Sequence, residues 1–470
     1  MVDESARRLM EDMRRGRLSR REFVRRAALL GFSGSAIAAF LIACGSSSPT
    51  ATTATSWSSS TSSAAAAASS SATTTSKAAS TTSAAATTSS AAATGSASST
   101  TTKAATPTSG GTPAGGGATG PAKSVKLGAV LSLTADAQVY GTVQQNAVKM
   151  AVDEVNSGNV IPGVQLSLIV EDDASKKDQG ITAFDKLIKT DQVIAIIGPT
   201  LSNTAVATDP SAQQAGVPVL GVSTTADGIT TIGDYIFRDS LAEAQVIPVT
   251  IKTAKEKLTL KKVGIIYGND DAFTKSGFDV FKKALDDNGI QYSTPQTYAK
   301  GDTDFSAQLT EIKGGNPDAI VVSALANEGT LIVKQARDLG FKGALIGGNG
   351  LNSPAIIKGA GAAAEGVIVG AAWNSANDTP ENQKFIAAYK AKYNADPDQF
   401  AAQAYSGVYI MADALKRAGA NADRKALRDA LAQTKDLTTP LGKFSFTPQR
   451  DADHPPVIQV VKNGKFDVLK

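Results

Sequence analysis

The chain has 470 residues, with 47 Lys and Arg against 43 Asp and Glu, and a single histidine and a single cysteine. Residues 1–43 hold nine Arg and five acids, which is the whole net charge of +4, so 38 charges of each sign remain from Cys44 onward. That balance offers no positive field to a nucleic acid or an anionic lipid surface, and no nucleic-acid partner is expected.

The first segment reads "LSRREFVRRAALLGFSGSAIAAFLIAC" near its end: an Arg-rich stretch, an apolar run from Ala27 to Ala43, and small residues before Cys44. This is the layout of an export signal over residues 1–43. Ser19-Arg20-Arg21-Glu22-Phe23-Val24 resembles the twin-arginine signal, and Leu41-Ile42-Ala43-Cys44 resembles the lipobox of bacterial lipoproteins. The resemblance implies that Cys44 carries a lipid, becomes the mature N-terminus and holds the protein on the outer side of the cell membrane. An uncleaved anchor is the alternative, since the 17 residues of the apolar run lie at the short end for a spanning helix. A buried structural cysteine fits less well, because Cys44 adjoins sequence that cannot build a core.

Residues 44–122 are expected to be a disordered linker: beyond Cys44 they are almost entirely Ser, Thr, Ala and Gly, with Lys77 and Lys103 as the only charges. Such a tract cannot bury enough apolar surface to offset the entropy of ordering it. As a flexible coil it would span roughly 50 Å, a suitable spacer, and its composition suits O-glycosylation. Trp57 within it reads as an exposed aromatic.

From Lys123 the texture changes to short apolar runs, "VKLGAVL", "VQLSLIV", "VIAIIG", "KVGIIYG", "AIVVSA" and "GVIVGA", alternating with segments of helical period. Runs without polar alternation predict strands buried on both faces of parallel sheets. Val148, Ala151, Val152 and Val155 mark one helical stripe, and Ile332, Ala336 and Leu339 another. Repeated βα units predict an α/β fold, and the 348 residues from Lys123 to Lys470 exceed the usual single core, so two domains are expected.

In open parallel sheets the ligand site lies beyond the carboxyl ends of the strands, where helix N-termini present unpaired N–H groups. Three such loops are rich in small polar residues: "IIGPTLSNT", "VLGVSTTAD" and "LIGGNGLNS". In the first, Ser202 is placed to cap a helix beginning at about Asn203, a role compatible with holding an anion.

Enzyme signatures are sparse. His454 in "DADHPP" reads as a loop residue, and a single histidine with no cysteine from residue 45 onward excludes the usual zinc sites. There is no GxxxxGK[ST] loop, and "GAGAAA" (359–364) follows a helical stretch, so it reads as a tight turn and not as a dinucleotide fingerprint. Asp270 and Asp271 in "YGNDDAF" are better read as a solvated turn or helix cap than as the carboxylate pair of a hydrolase. Neither catalysis nor a cofactor is expected.

Six segments in order, "KLGAVLSLTADAQVYGTVQQNAVKMAVDEVN", "LIVEDDASKKDQGITAFDKLI", "IAIIGPTLSNTAVA", "GVPVLGVSTTAD", "GIIYGNDDAFTKSGFDVFKKAL" and "VKQARDLGFKGALIGGNG", resemble the solute-binding proteins of ATP-driven (ABC) importers in the branched-chain amino acid and amide group. The resemblance covers about residues 124–470 and implies the type I periplasmic binding fold: two Rossmann-like α/β lobes with parallel sheets, joined by three hinge crossings, closing on a ligand between them. By that pattern lobe 1 is 123–241 plus 374–438, and lobe 2 is 242–373 plus 439–470. It implies that Leu201 and Ser202 anchor a ligand carboxylate, that Thr224 and Thr225 hold its polar head, and that Tyr140 and Phe273 form aromatic walls. Asn349 stands where leucine-binding members place a glutamate against the ligand ammonium, so either Asp271 or Glu328 compensates or the ligand lacks that group. Trp373 near a crossing is expected to pack the hinge, with stacking on a ligand ring as the alternative. The implied function is extracytoplasmic capture of an amino acid, amide or carboxylate for a membrane permease; a sensory receptor of the same fold is the alternative.

Overall fold

The computed structural model describes residues 122–470. The signal, Cys44 and the linker lie outside the described residues, apart from Ala122 at the linker's end. Among the described residues no helix is long and apolar enough to cross a membrane, and no group of three or more His, Cys, Asp or Glu is placed to hold a metal.

The first sheet is built from β1 (Lys123–Leu131), β2 (Val164–Asp172), β3 (Ala195–Ile197), β4 (Val219–Gly221) and β5 (Ile236–Arg238), all parallel in the order β2-β1-β3-β4-β5. Between the strands run α1 (Gln138–Ser157), α2 (Lys177–Asp185) and α3 (Ser202–Gln214). Alternate strand residues feed two cores: Leu127, Ala129, Ile197 and Leu220 face one way, Val130, Ile196 and Val219 the other. Burial on both faces is why the runs carry no polar alternation. The stripe Val148, Ala151, Val152 and Val155 of α1 is wholly buried in the first of these cores.

The chain then crosses at 239–242 and builds a second sheet. Its strands are β6 (Lys262–Gly268), β7 (Gln291–Tyr292), β8 (Gln296–Tyr298), β9 (Ala319–Ser323), β10 (Ala344–Gly347) and β11 (Val367–Ala371). Its helices are α4 (Glu243–Leu258), α5 (Ala272–Asp287), α6 (Ser306–Gly314), α7 (Ala326–Asp338) and α8 (Pro354–Ala360). The same two-faced packing recurs, with Val263, Ile265 and Val321 on one side and Ile266, Ile320 and Val322 on the other. The 359–364 glycine segment ends α8 and continues as a short 3-10 turn, as its reading as a turn requires.

A second crossing follows β11. Helices α9 (Pro380–Tyr393), α10 (Gln399–Ala418) and α11 (Arg424–Ala432) return to the first lobe, where Phe385, Ala401, Val408 and Leu431 join the core beneath α1. The hairpin β12 (Leu437–Thr439) and β13 (Gly442–Phe444) comes next, and after it β14 (Val457–Lys462) and β15 (Lys465–Val468) close the second sheet. β14 runs antiparallel to β11 and β15 antiparallel to β14, so this sheet is parallel except at one edge.

One expected boundary needs correction. Residues 439–452 stay with lobe 1, because Leu441, Phe444 and Ala452 are buried in its core. Arg238 pairs with Asp451 at 2.5 Å, and Arg450 donates to the carbonyls of Ile236 and Thr230. The third crossing therefore falls at 453–456, where His454 sits in a loop, and not at 438–439.

Candidate functional site

The two sheets point their strand ends at each other, and the loops that follow β3, β4 and β10 meet across a narrow cleft. The cleft is small, about 300 Å³ including the space open to solvent.

Lobe 1 supplies one wall. Leu201 precedes α3, and no side chain caps that helix, so its first turn presents backbone N–H groups. Ser202 is the first helical residue and not the cap its sequence position predicts. Its Oγ accepts from the Ala226 N–H at 3.2 Å, which leaves its own proton available to an anion. Behind it, Thr200 donates to Gln144 Oε1 (2.7 Å) and accepts from the Ser132 N–H (3.0 Å). Gln144 Nε2 in turn donates to Ser223 Oγ at 2.7 Å, and Ser223 donates to the Thr200 carbonyl at 2.7 Å.

Lobe 2 supplies the other wall: Phe273, Leu325, Asn349 and Gly350. A Cβ on Gly350 would meet the Ala324 carbonyl at 2.3 Å and the Phe273 ring at 2.8 Å, so only glycine lets this loop lie against the aromatic. Tyr140 reaches across from α1, donating its hydroxyl to the Gly350 carbonyl at 2.8 Å, with its ring on Phe400 at 4.4 Å. Burial holds the Tyr140 phenol well above its ordinary pKa.

Asn349 is 2% exposed, and both its amide protons and its backbone N–H are committed. Its Nδ2 donates to the Leu241 carbonyl (3.2 Å) and to Glu243 Oε1 (3.0 Å), its N–H donates to the same Oε1 (3.2 Å), and its Oδ1 accepts from Gln399 Nε2 (3.2 Å). Glu243 opens α4 directly after the first crossing and also accepts from Thr225 Oγ1 at 3.2 Å. It is 1% exposed, and burial pushes its carboxyl up to about 7 against the pull of those hydrogen bonds and of Arg238. Gln399, at the start of α10, accepts from Asn352 Nδ2 and the Ala372 N–H, both at 2.8 Å. Beyond it, Gln459 Nε2 donates to the Trp373 carbonyl (3.1 Å) and Asn374 Nδ2 donates to Gln459 Oε1 (2.6 Å). A chain of buried amides thus leads from the pocket to the second crossing.

Six of the seven residues expected in the site meet here: Tyr140, Leu201, Ser202, Thr225, Phe273 and Asn349. Thr224 does not. Its Oγ1 lies over Gly221, where a Cβ would meet it at 2.0 Å, and its carbonyl accepts from Arg238, so it faces the lobe 1 interior. Asp271 and Glu328 do not compensate at Asn349. Asp271 caps α5 and accepts from Asn203 of lobe 1, while Glu328 accepts from the Gly301 N–H, and both line a separate, narrower gap beside Lys300. Trp373 packs the hinge, donating to Asn382 Oδ1 at 2.7 Å and meeting Phe385 edge-on. Asp270 is exposed and accepts from the Lys300 N–H.

The residues that sequence reasoning missed are Thr200, Ser223, Leu325, Gly350 and Phe400 on the lining, with Glu243 and Gln399 behind it. Thr200 and Ser223 belong to loops already singled out. Glu243 carries only the signal of an acid in a helix's first turn, which the helix dipole explains by itself. Phe400 and Gln399 come from a distant segment with no loop signature at all.

Lobe 1 and lobe 2 also latch outside the cavity: the Ala272 N–H donates to Asn203 Oδ1 (2.9 Å), the Asp227 N–H to Ser276 Oγ (2.8 Å), and Asn327 Nδ2 to the Asp136 carbonyl (3.1 Å).

Residues 124–465 match the family described as periplasmic binding protein. The Leu/Ile/Val-binding protein BraC3 of Rhizobium johnstonii is 29% identical over 323 residues, 68% of this chain and 87% of that one. Among solved structures, the branched-chain amino acid transporter substrate-binding protein LivJ of Streptococcus pneumoniae, in complex with isoleucine, is 30% identical with a TM-score of 0.70, covering 74% of this chain and 98% of that one. A solute-binding protein of an ABC transporter from Rhodopseudomonas palustris, in complex with 3,4-dihydroxybenzoic acid, is 27% identical with a TM-score of 0.68, covering 73% and 95%. With its two sheet lobes, three crossings and interlobe cavity, the chain belongs to the periplasmic binding protein family, in the group of the Leu/Ile/Val-binding proteins.

Proposed function

We propose that this protein is the extracytoplasmic substrate-binding component of an ABC importer. It captures a branched-chain amino acid, or a related small amide or carboxylate, between its lobes and presents the closed form to membrane permease subunits. Cys44 is its lipid attachment, and residues 44–122 are the spacer that holds the lobes off the membrane.

The observation that carries this reading is the composition of the cavity. One end combines the N-terminus of α3 with the Ser202 hydroxyl, a donor array suited to a carboxylate. Leu201, Leu325, Tyr140, Phe273 and Phe400 give an apolar slot for a short aliphatic or aromatic side chain. Lobe closure excludes water, so each hydrogen bond to the solute works at low dielectric. One relative is in complex with isoleucine and another with 3,4-dihydroxybenzoic acid, and both ligands are small and bear a carboxylate, which supports a small carboxylate or related solute here.

Calorimetric titration of the purified protein, stripped of solute by unfolding and refolding, tests the reading. Binding of at least one among leucine, isoleucine, valine, benzoate and small amides is expected, with a sugar panel as control. No binding by any of them removes the reading. Ser202→Ala is expected to weaken a carboxylate ligand about tenfold without lowering the melting temperature. Cys44→Ala is expected to release the protein from membranes, and continued firm attachment would favour an uncleaved anchor.

A further inference from the structure

The direction of each hydrogen bond at the crossing end of the cavity fixes which groups that end can recognise. Glu243 Oε1 is the shared partner of the Thr225 hydroxyl (3.2 Å) and Asn349 Nδ2 (3.0 Å). An ionised carboxylate only accepts, so one proton from each of those groups is committed to Glu243. The second Nδ2 proton goes to the Leu241 carbonyl. Asn349 Oδ1 takes one bond from Gln399 Nε2, and Gln399 cannot turn over, because its own Oε1 is held by Asn352 Nδ2 and the Ala372 N–H. Turning the Asn349 amide would likewise set its oxygen against a carboxylate and a carbonyl. Thr225 and Asn349 both line the cavity, and all that either side chain can still offer a solute is a lone pair.

Charge reinforces this polarity. Glu243 Oε2 is buried and has no hydrogen-bond partner. The Arg238 charge, which pulls this carboxyl down, is already engaged by Asp451 and by the carbonyls of Thr224 and Ala226. Asp239, on the crossing itself, is held by burial well above the ordinary carboxylate range and supplies little competing charge. In its ionised form such a buried carboxylate attracts a cation in a low-dielectric site, and the cation in turn favours that form.

We propose, resting on the solute-binding reading above, that Glu243 is the specificity-determining positioning residue of this pocket. It turns the Thr225 and Asn349 end into a wall of acceptors with negative charge behind it. The protein therefore selects solutes carrying an N–H donor beside the carboxylate or carbonyl, an ammonium group first and a primary carboxamide second, over acids of the same shape that lack one. The acid missing at Asn349 is supplied one layer back, from the first crossing.

The test is calorimetry on the purified full chain with leucine, leucinamide and 4-methylpentanoate, in wild type and in Glu243→Gln, which keeps an oxygen for Thr225 and Asn349 to donate to. Wild type is expected to prefer leucine over 4-methylpentanoate, and the substitution to lower leucine affinity about tenfold while leaving 4-methylpentanoate within about twofold. Titration at pH 7 in buffers of different ionisation enthalpy adds a second readout. Burial places the Glu243 carboxyl at about 7, so leucine should expel a fraction of a proton from wild type and none from Glu243→Gln, and 4-methylpentanoate should expel none from either. Equal loss for all three ligands, or a wild type that binds 4-methylpentanoate as tightly as leucine, overturns the assignment. Should the variant fail to fold, a wild type that binds 4-methylpentanoate as tightly as leucine overturns it alone. A wild type that binds none of the three but binds benzoate keeps the importer reading and rejects the donor preference.

Discussion

The two walls of the pocket are held in different ways. On the lobe 1 side, Ser132, Gln144, Thr200 and Ser223 hydrogen-bond to one another, all within a single lobe. On the lobe 2 side, Asn349 is held by Leu241 and Glu243 at the first crossing and by Gln399 on a lobe 1 helix. The first wall is tied together inside one lobe, whereas the polar geometry of the second depends on partners drawn from the crossings and from a lobe 1 helix. A solute meeting the open protein is thus expected to dock on lobe 1 first and to complete its contacts as lobe 2 arrives.

Gln399→Leu is expected to break the comparison most severely. It leaves Asn349 Oδ1, Asn352 Nδ2 and the Ala372 N–H without the partner they share. Each buried orphan costs about 1–3 kcal/mol, so a loss of about 3 kcal/mol in stability and at least about a hundredfold in affinity should follow. Thermal melting and titration read the two separately. Thr200→Val makes the complementary lesion, orphaning the Ser132 N–H and Gln144 Oε1 inside lobe 1. It should lower stability by about 2 kcal/mol and affinity much less than Gln399→Leu does. If affinity collapses equally in both, the walls are not organised differently.

Much of this was legible in the sequence, and what was not follows a physical pattern. The strands declared themselves because burial on both faces removes polar residues from runs such as Val193–Gly198. The lobe 1 anchors were legible because the loops beyond the carboxyl ends of the strands have a composition of their own, and Ser202 and Thr225 sit in the stretches so marked. Thr224 was misplaced because adjacent residues on an extended segment face opposite ways, and nothing in "VSTTAD" says which hydroxyl looks into the cleft. Gln399 and Glu243 escaped because their roles exist only after residues far apart in the chain are brought together. The 439–452 hairpin went to the wrong lobe for the same reason: its tie to lobe 1 is the buried Arg238, whose partner Asp451 lies 213 residues away.

Acidity sharpens the comparison with a smaller effect. Burial pushes Glu243 up to about 7 and Asp398, which caps the helix carrying Gln399, up to about 6. Asp209 inside lobe 1 is likewise pushed up to about 8. Groups raised in the folded state bind more protons folded than unfolded between their two pKa values, so stability falls as pH rises through that window. Moving from pH 8 to about 5.5 should therefore raise the melting temperature, by about 2–4 °C for each kcal/mol gained. Asp172 and Asp318, held below the ordinary range, reverse the trend only at lower pH, where they protonate. In Glu243→Gln with Asp398→Asn the slope should be shallower, and what remains comes from the other raised carboxyls, Asp209, Asp239 and Asp271 among them.

The smallest effect isolates closure from folding. Tyr140 belongs to α1, is packed on Phe400 within its own lobe, and spends its hydroxyl on the Gly350 carbonyl of the other lobe at 2.8 Å. Tyr140→Phe removes that one interlobe bond and keeps the ring, so lobe 1 loses nothing it uses when the cleft is open. The Gly350 carbonyl then meets water in the open form and an apolar ring edge in the closed form, which places the whole cost on closure. Affinity should fall about fivefold, the equivalent of about 1 kcal/mol, and the slower dissociation that closure confers should shorten accordingly. The melting temperature without solute should fall only by the share of that bond made in the unliganded protein. An unliganded melting temperature lowered by the full value of the bond would mean that the lobes rest shut before solute arrives, and that the second wall is as preformed as the first.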